Sequence, residues 1–191
     1  MQNIESIHEL GDALQTKAFL GREFLTWLWW KIETDGSSID AGGDLGSVEM
    51  WVADKVVFVV PGMDQQVQTL KGGDPSRTLE ASAALLTGKM VKELRVGSRI
   101  DSDVEIGFTL KAPGLSPSGI KVVRAADMAA EDIIDDSDRT ISDVETIVNL
   151  TDGLFELFLT ERTNRDWEKS TLSTIRSWVQ DRKERRSKYY H

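Results

Sequence analysis

Between Phe19 and Glu33 the chain surrounds a helix with apolar residues on nearly every side. Phe24, Leu25, Leu28 and Ile32 form one stripe at helical spacing, and Trp27, Trp29 and Trp30 widen it to most of the circumference. Such a helix has no face to give to water. It must stand at the centre of its domain or share its surface with a partner. Trp27, Trp29 and Trp30 are therefore expected in a core or at the interface of a homo-oligomer, the interface above all, rather than stacked on bases.

The other elements have to be arranged around this helix. Ahead of it, Ile4, Ile7, Leu10 and Leu14 predict a separate helix ending near Gly11 or Thr16. The Gly, Ser and Asp residues of 35–46 read as a loop. Val48, Met50 and Val52 alternate with Glu49, Trp51 and Ala53 as in a strand, Asp54-Lys55 reads as a turn, and Val56–Val60 suits a buried strand closed by Pro61-Gly62. A third strand is expected over Gln66–Lys71. Asp74 as N-cap and Pro75 as first residue predict a helix with Leu79, Ala83 and Leu86 on its buried face and Gly88 as its stop.

A second run of strands follows at Met90–Val96, at Val104–Leu110 with strict alternation, and at Ile120–Arg124. Residues 125–139 are acidic and read as loop or short helix. Ser142 and Glu145 form a capping box for a helix through Val148, Phe155 and Phe158 to Thr160, and Asn164 can cap a last helix carrying Trp167, Leu172, Ile175 and Trp178. The expectation is an α+β fold: an antiparallel sheet of two meanders, helices packed on one face, and C-terminal helices. The 191 residues divide into an α+β domain over 1–162 and a C-terminal helix with a basic tail over 163–191.

Chemistry is restricted by what the chain lacks. It has no cysteine and only two histidines, His8 and His191, at opposite ends of the sequence. Thiolate metal sites and cysteine nucleophiles are excluded, and histidine chemistry would have to use one of two side chains that read as solvated. Thr87-Gly88-Lys89-Met90 lacks the upstream glycine and the hydroxyl of a phosphate loop, and it sits at the wrong end of a helix. The acidic run Glu131, Asp132, Asp135, Asp136 and Asp138 lacks the glycine and terminal glutamate of a calcium loop. A magnesium nuclease built on Asp103, Glu105 and Lys111 would want a Glu-x-Lys triplet that does not occur there. The chain is expected to bind rather than catalyse, with neither cofactor nor metal. No apolar run reaches the 20 or so residues a membrane span needs, and a cytoplasmic, nucleoid-associated location is expected.

Net charge is −9, yet cations gather in two places. Lys71, Arg77, Lys89, Lys92, Arg95 and Arg99 cluster around the middle helix and the strand after it. Arg176, Arg182, Lys183, Arg185, Arg186 and Lys188 make the end of the chain basic. A local basic lining or arm on an acidic body remains compatible with nucleic-acid binding.

From Leu79 to Leu159 the order of features resembles the C-terminal half of the RdgC family of recombination-associated DNA-binding proteins. The matching pieces are Thr87-Gly88-Lys89-Met90-Val91, the Lys-Glu-Leu-Arg-Val strand from Lys92, the strand Val104–Leu110, Gly119–Val123, and the stretch from Asp143 to Leu154. Glu23–Leu28 and the strand ending in Lys71 match more loosely. The resemblance implies a non-enzymatic homo-oligomer that holds duplex DNA without sequence preference. Lys71 and the residues near it match a DNA-facing segment of the family best, and the expected phosphate contacts are Lys71, Arg77, Lys89, Lys92, Arg95 and Arg99, together with Arg182, Lys183, Arg185 and Arg186 of a tail that is not part of the family's pattern. A protein–protein interaction module or inhibitor subunit using the tryptophan-rich helix is the alternative, and a magnesium-dependent nuclease built on Asp103 and Glu105 is a minor one.

Overall fold

A computed structural model describes residues 4–187 apart from 37, 43–44, 102–103 and 125–136, with side chains described from Leu20 to Arg182 outside residues 101 and 137–138 and the same gaps. The elements follow the order α1 (Ile4–Asp35), β1 (Ile39–Asp40), β2 (Ser47–Val60), β3 (Met63–Lys71), α2 (Leu79–Leu86), β4 (Met90–Asp101), β5 (Val104–Lys111), β6 (Ser118–Arg124), α3 (Ser137–Arg162) and α4 (Thr171–Ser187). Every strand pairing is antiparallel. The sheet runs β3-β2-β4-β5-β6, with β1 on the same edge of β2 as β3. The expected α+β class and single antiparallel sheet are what the chain forms.

The apolar helix takes the central position. Phe24, Leu25, Trp27, Leu28 and Trp29 are fully buried within one chain, and Trp30 and Ile32 nearly so. One flank lies on the sheet, where the Trp29 ring meets Phe58 at 5.8 Å. Another meets α3 through Phe24, Phe155, Phe158 and Trp27. A third meets α4 through Trp29 and Trp178, edge to face at 5.5 Å. Three partners on three sides are why this helix needs no polar stripe. The tryptophans therefore form the core of a single chain, and their burial corrects the expectation that they face a second copy.

Trp167, Ile175 and Trp178 join the same cluster. Ion pairs rim the seam between α1 and α3, from Arg162 to Glu23 at 2.9 Å and from Lys31 to Glu161 at 3.5 Å. The Trp27 indole N–H donates to Glu161 at 2.9 Å.

Register separates the two faces of the sheet. Met50, Val56 and Phe58 share the inner face with Leu94, Val96, Ile106, Phe108 and Leu110, all of them buried. The intervening residues form the outer face, where Glu49, Glu105, Lys111, Lys121 and Val123 are exposed.

Several local expectations give way. Ile4–Asp35 is one helix, because a glycine such as Gly11 weakens a helix by only about 1 kcal/mol and does not end it unless it turns left-handed. Asp54 and Lys55 lie inside β2: register with β4 slips between Val52 and Val56, so the polar pair marks a bulge rather than a turn. Residues 35–46 contain the short β1, and β3 starts at Met63.

Pro75 opens a 3-10 turn, Pro75–Arg77, and α2 starts later, with the Thr78 hydroxyl accepting from the Ala81 N–H at 3.2 Å. That shift turns the helix. Ala81, Ser82 and Ala84 are buried while Leu79 and Leu86 are exposed. Helix α3 begins at Ser137, ahead of the Ser142–Glu145 box. Asn164 closes a turn by accepting from the Asp166 N–H at 3.0 Å, seven residues before α4 opens at Thr171. Gly88 stops α2 in the left-handed region, φ 78°, as expected.

Candidate nucleic-acid interface

The outer face of the sheet is built row by row from register. Glu49, Arg99 and Glu105 stand side by side on β2, β4 and β5, with Val123 on β6. Arg99 bridges the two carboxylates at 2.6 and 2.5 Å. The hydrogen bond to Glu105 and then the charge of Glu49 raise its already high pKa. The next row is Trp51, Gly97, Gly107 and Lys121.

Arg95 lies one step further along β4. It pairs with Asp54 at 3.2 Å and donates to the Thr109 hydroxyl and the Gly119 carbonyl. Lys55 reaches Glu93 at 2.6 Å. Lys71 stands beside Lys55, and Lys111 beside Glu93.

This face holds Lys55, Lys71, Arg95, Arg99, Lys111 and Lys121 against Glu49, Asp54, Glu93 and Glu105, so bases outnumber acids on it although the chain carries −9 overall. Lys71, Lys111 and Lys121 are exposed and make no ion pair among the described residues. The bulge explains part of the arrangement. By inserting residues between Val52 and Val56 it swings Asp54 over Arg95 and Lys55 over Glu93, locking the centre of the face, while the peripheral lysines make no ion pair among the described residues.

The cations expected from sequence do not gather in one place. Lys71, Arg95 and Arg99 share the outer face. Lys89 instead donates to Gln68 at 2.6 Å, and Gln68 pairs in register with the inner-face Phe58. Arg77 pairs with Asp74 at 3.0 Å on the rim of a cleft of about 610 Å3. That cleft runs between the end of α1, β2 and the 3-10 turn, and Glu33, Glu49 and Arg182 also line it. Lys92 is half-buried at the slip in the β2–β4 register.

Arg182 is not a surface contact at all. Its guanidinium is buried between the rings of Trp29 and Trp178, 5.0 and 4.9 Å from their centroids, and pairs with Glu33. Burial between two indoles, rather than display on a basic arm, corrects its assignment to the DNA-contacting tail. Lys183, Arg185 and Arg186 continue α4, but their side chains lie outside the described residues.

Sequence reasoning missed Lys55, Lys111 and Lys121 as members of this face. The signal for the last two was present. Lys111 continues the polar phase of Val104–Leu110, and Lys121 sits in the opposite phase to Val122. Lys55 was hidden by the reading of Asp54-Lys55 as a turn.

No group of His, Asp or Glu able to hold a metal ion occurs among the described residues. Glu105 is engaged by Arg99, whereas Asp103, His8, His191 and the acidic run 131–138 offer no described side chain. No described helix is long and apolar enough to cross a membrane. The chain matches no family model, no curated protein and no solved structure.

Proposed function

We propose that this chain is a non-enzymatic, sequence-independent nucleic-acid-binding protein that lays a phosphate backbone across the outer face of its sheet. The observation that carries this reading is the placement of Lys71, Lys111 and Lys121, exposed and without ion pairs among the described residues, around the anchored Arg95 and Arg99. At about 4.8 Å per strand step, β3 and β6 stand about 19 Å apart. That span takes in several successive phosphates. Phosphate neutralisation supplies the binding energy, and salt weakens it. Duplex DNA and a role in recombination are the part of the proposal that rests on the RdgC-like order of segments.

Titration of labelled random-sequence oligonucleotides, duplex and single-stranded, followed by fluorescence anisotropy at low and moderate salt, tests the reading. Binding that falls steeply with salt and is indifferent to sequence is expected. Absence of binding at both salts, or binding indifferent to salt, overturns it.

A second reading, self-association, is favoured by one observation. Ile141, Val144 and Val148 are exposed at helical spacing on α3. Val144→Glu would abolish an oligomer formed there, as read by light scattering.

A further inference from the structure

Trp51 is placed differently from the buried tryptophans of α1. It points to the outer face of the sheet, half-buried, where its indole covers Gly97. A Cβ at position 97 would lie 2.2 Å from Cε2 and 2.4 Å from Nε1 of that indole. Gly97 is thus the seat that lets the ring lie against the strand, and any side chain there would lift it. The next residue in the row, Gly107, also lacks a side chain, and Lys121 ends the row. The Arg99 guanidinium carbon stands 5.8 Å from the centroid of the indole. The row holds an aromatic plane, two bare glycines and an exposed lysine, with Arg95 and Arg99 on either side.

We infer that this row is a stacking platform for an unpaired base, so that the outer face takes single-stranded nucleic acid in preference to duplex. The inference rests on the nucleic-acid reading above and adds the class of substrate. In a duplex the faces of the bases are covered by their neighbours. A single strand can turn a base onto an indole while its phosphates meet the surrounding cations. Stacking also requires no hydrogen-bond readout. The arginines are positioned rather than free: Arg99 is tied to Glu49 and Glu105, and Arg95 to Asp54 and Thr109. They flank the ring in fixed places, and Lys121, Lys111 and Lys71 supply charge that no ion pair engages among the described residues.

The test compares a thymidine oligonucleotide of about 15 residues with a duplex of the same length, using the full chain and its Trp51→Leu and Trp51→Phe variants. Circular dichroism confirms that each variant folds. The expected result is tighter binding of the single strand by the unaltered chain. Trp51→Leu should lose single-strand affinity on the order of 10- to 100-fold, with duplex affinity nearly unchanged. Trp51→Phe should retain part of that affinity, since a smaller ring still stacks.

Quenching of tryptophan fluorescence by the oligonucleotide gives a second readout. It should be present in the unaltered chain and largely lost in Trp51→Leu, because Trp27 and Trp29 are fully buried. Equal loss for both nucleic acids, or no loss for either, overturns the platform while leaving the parent reading standing. Absence of binding to both by the unaltered chain overturns the two together.

Discussion

Arg182→Met tests the packing of α4 against the central helix. The arginine is 8 % exposed, stands between the Trp29 and Trp178 rings, and pairs with Glu33. Methionine keeps most of the volume and can still lie between the indoles, but it removes the charge. Breaking a buried ion pair by removing one partner costs about 3–5 kcal/mol. The Glu33 side chain is 24 % exposed and still accepts from the Trp29 indole N–H at 2.7 Å and the Trp178 indole N–H at 3.3 Å. The lower end therefore applies, about 3 kcal/mol with the lost cation–ring attraction included.

For a chain of this length each kcal/mol moves the melting midpoint by about 2–4 °C, so a fall of roughly 6–12 °C is expected. Urea unfolding followed by circular dichroism measures the free energy directly. Glu33→Gln combined with Arg182→Met should recover about 1 kcal/mol, since neither charge is then stranded, while the single glutamine oxygen keeps only the shorter bond, from the Trp29 indole N–H. A single-variant loss below about 1 kcal/mol, or simple additivity in the double variant, would refute the reasoning. The folded Arg182→Met protein should bind nucleic acid as before, because this guanidinium does not face the sheet surface.

Other perturbations probe other joints. In Gly153→Ala the new Cβ would sit 2.0 Å from the Ala41 carbonyl oxygen, so α3 must shift away from the segment after β1. A loss of about 2 kcal/mol or more is expected in urea unfolding. Burial pulls the Lys31 ammonium down in pKa, but its hydrogen bond to Asp35 and the charges of Glu161 and Asp35 outweigh that and leave it raised above the ordinary 10.5. A raised folded value means the contribution is whole below pH 10.5 and disappears as pH climbs through the folded value. Lys31→Met should therefore lose less stability than the unaltered chain between neutral and strongly alkaline pH, measured by denaturation at each pH. Charge reversal of Lys183, Arg185 and Arg186 together, with Arg182 left in place, should change duplex affinity less than reversal of the sheet lysines, as read by anisotropy.

The central helix, the strict alternation of β5 and the left-handed stop at Gly88 were legible because each expresses a strong local rule. Burial all round, a period of two, and a glycine past the last turn each leave few alternatives. Asp54-Lys55 misled because a polar pair within an apolar run signals a turn and a bulge equally well. Only the slip in register against β4 separates the two. The buried face of α2 was misassigned because the helix was started at Pro75 instead of after Thr78. Small residues, Ala81, Ser82 and Ala84, then turned out to make the close approach. Arg182 was misread because a basic run looks solvated, and nothing in sequence pairs it with Glu33, far away on α1. The outer-face cations come from five strands, so that site became visible only once register was known.

The most direct measurement is the salt dependence of nucleic-acid affinity for Lys71→Glu/Lys111→Glu/Lys121→Glu beside the unaltered chain. The account predicts that log affinity of the unaltered chain falls with log salt at a slope of about −3 or steeper. The triple variant should lose about 100-fold in affinity, or more, and flatten the slope by roughly two to three. An unchanged slope and affinity in a folded triple variant would contradict the assignment of binding to this face of the sheet.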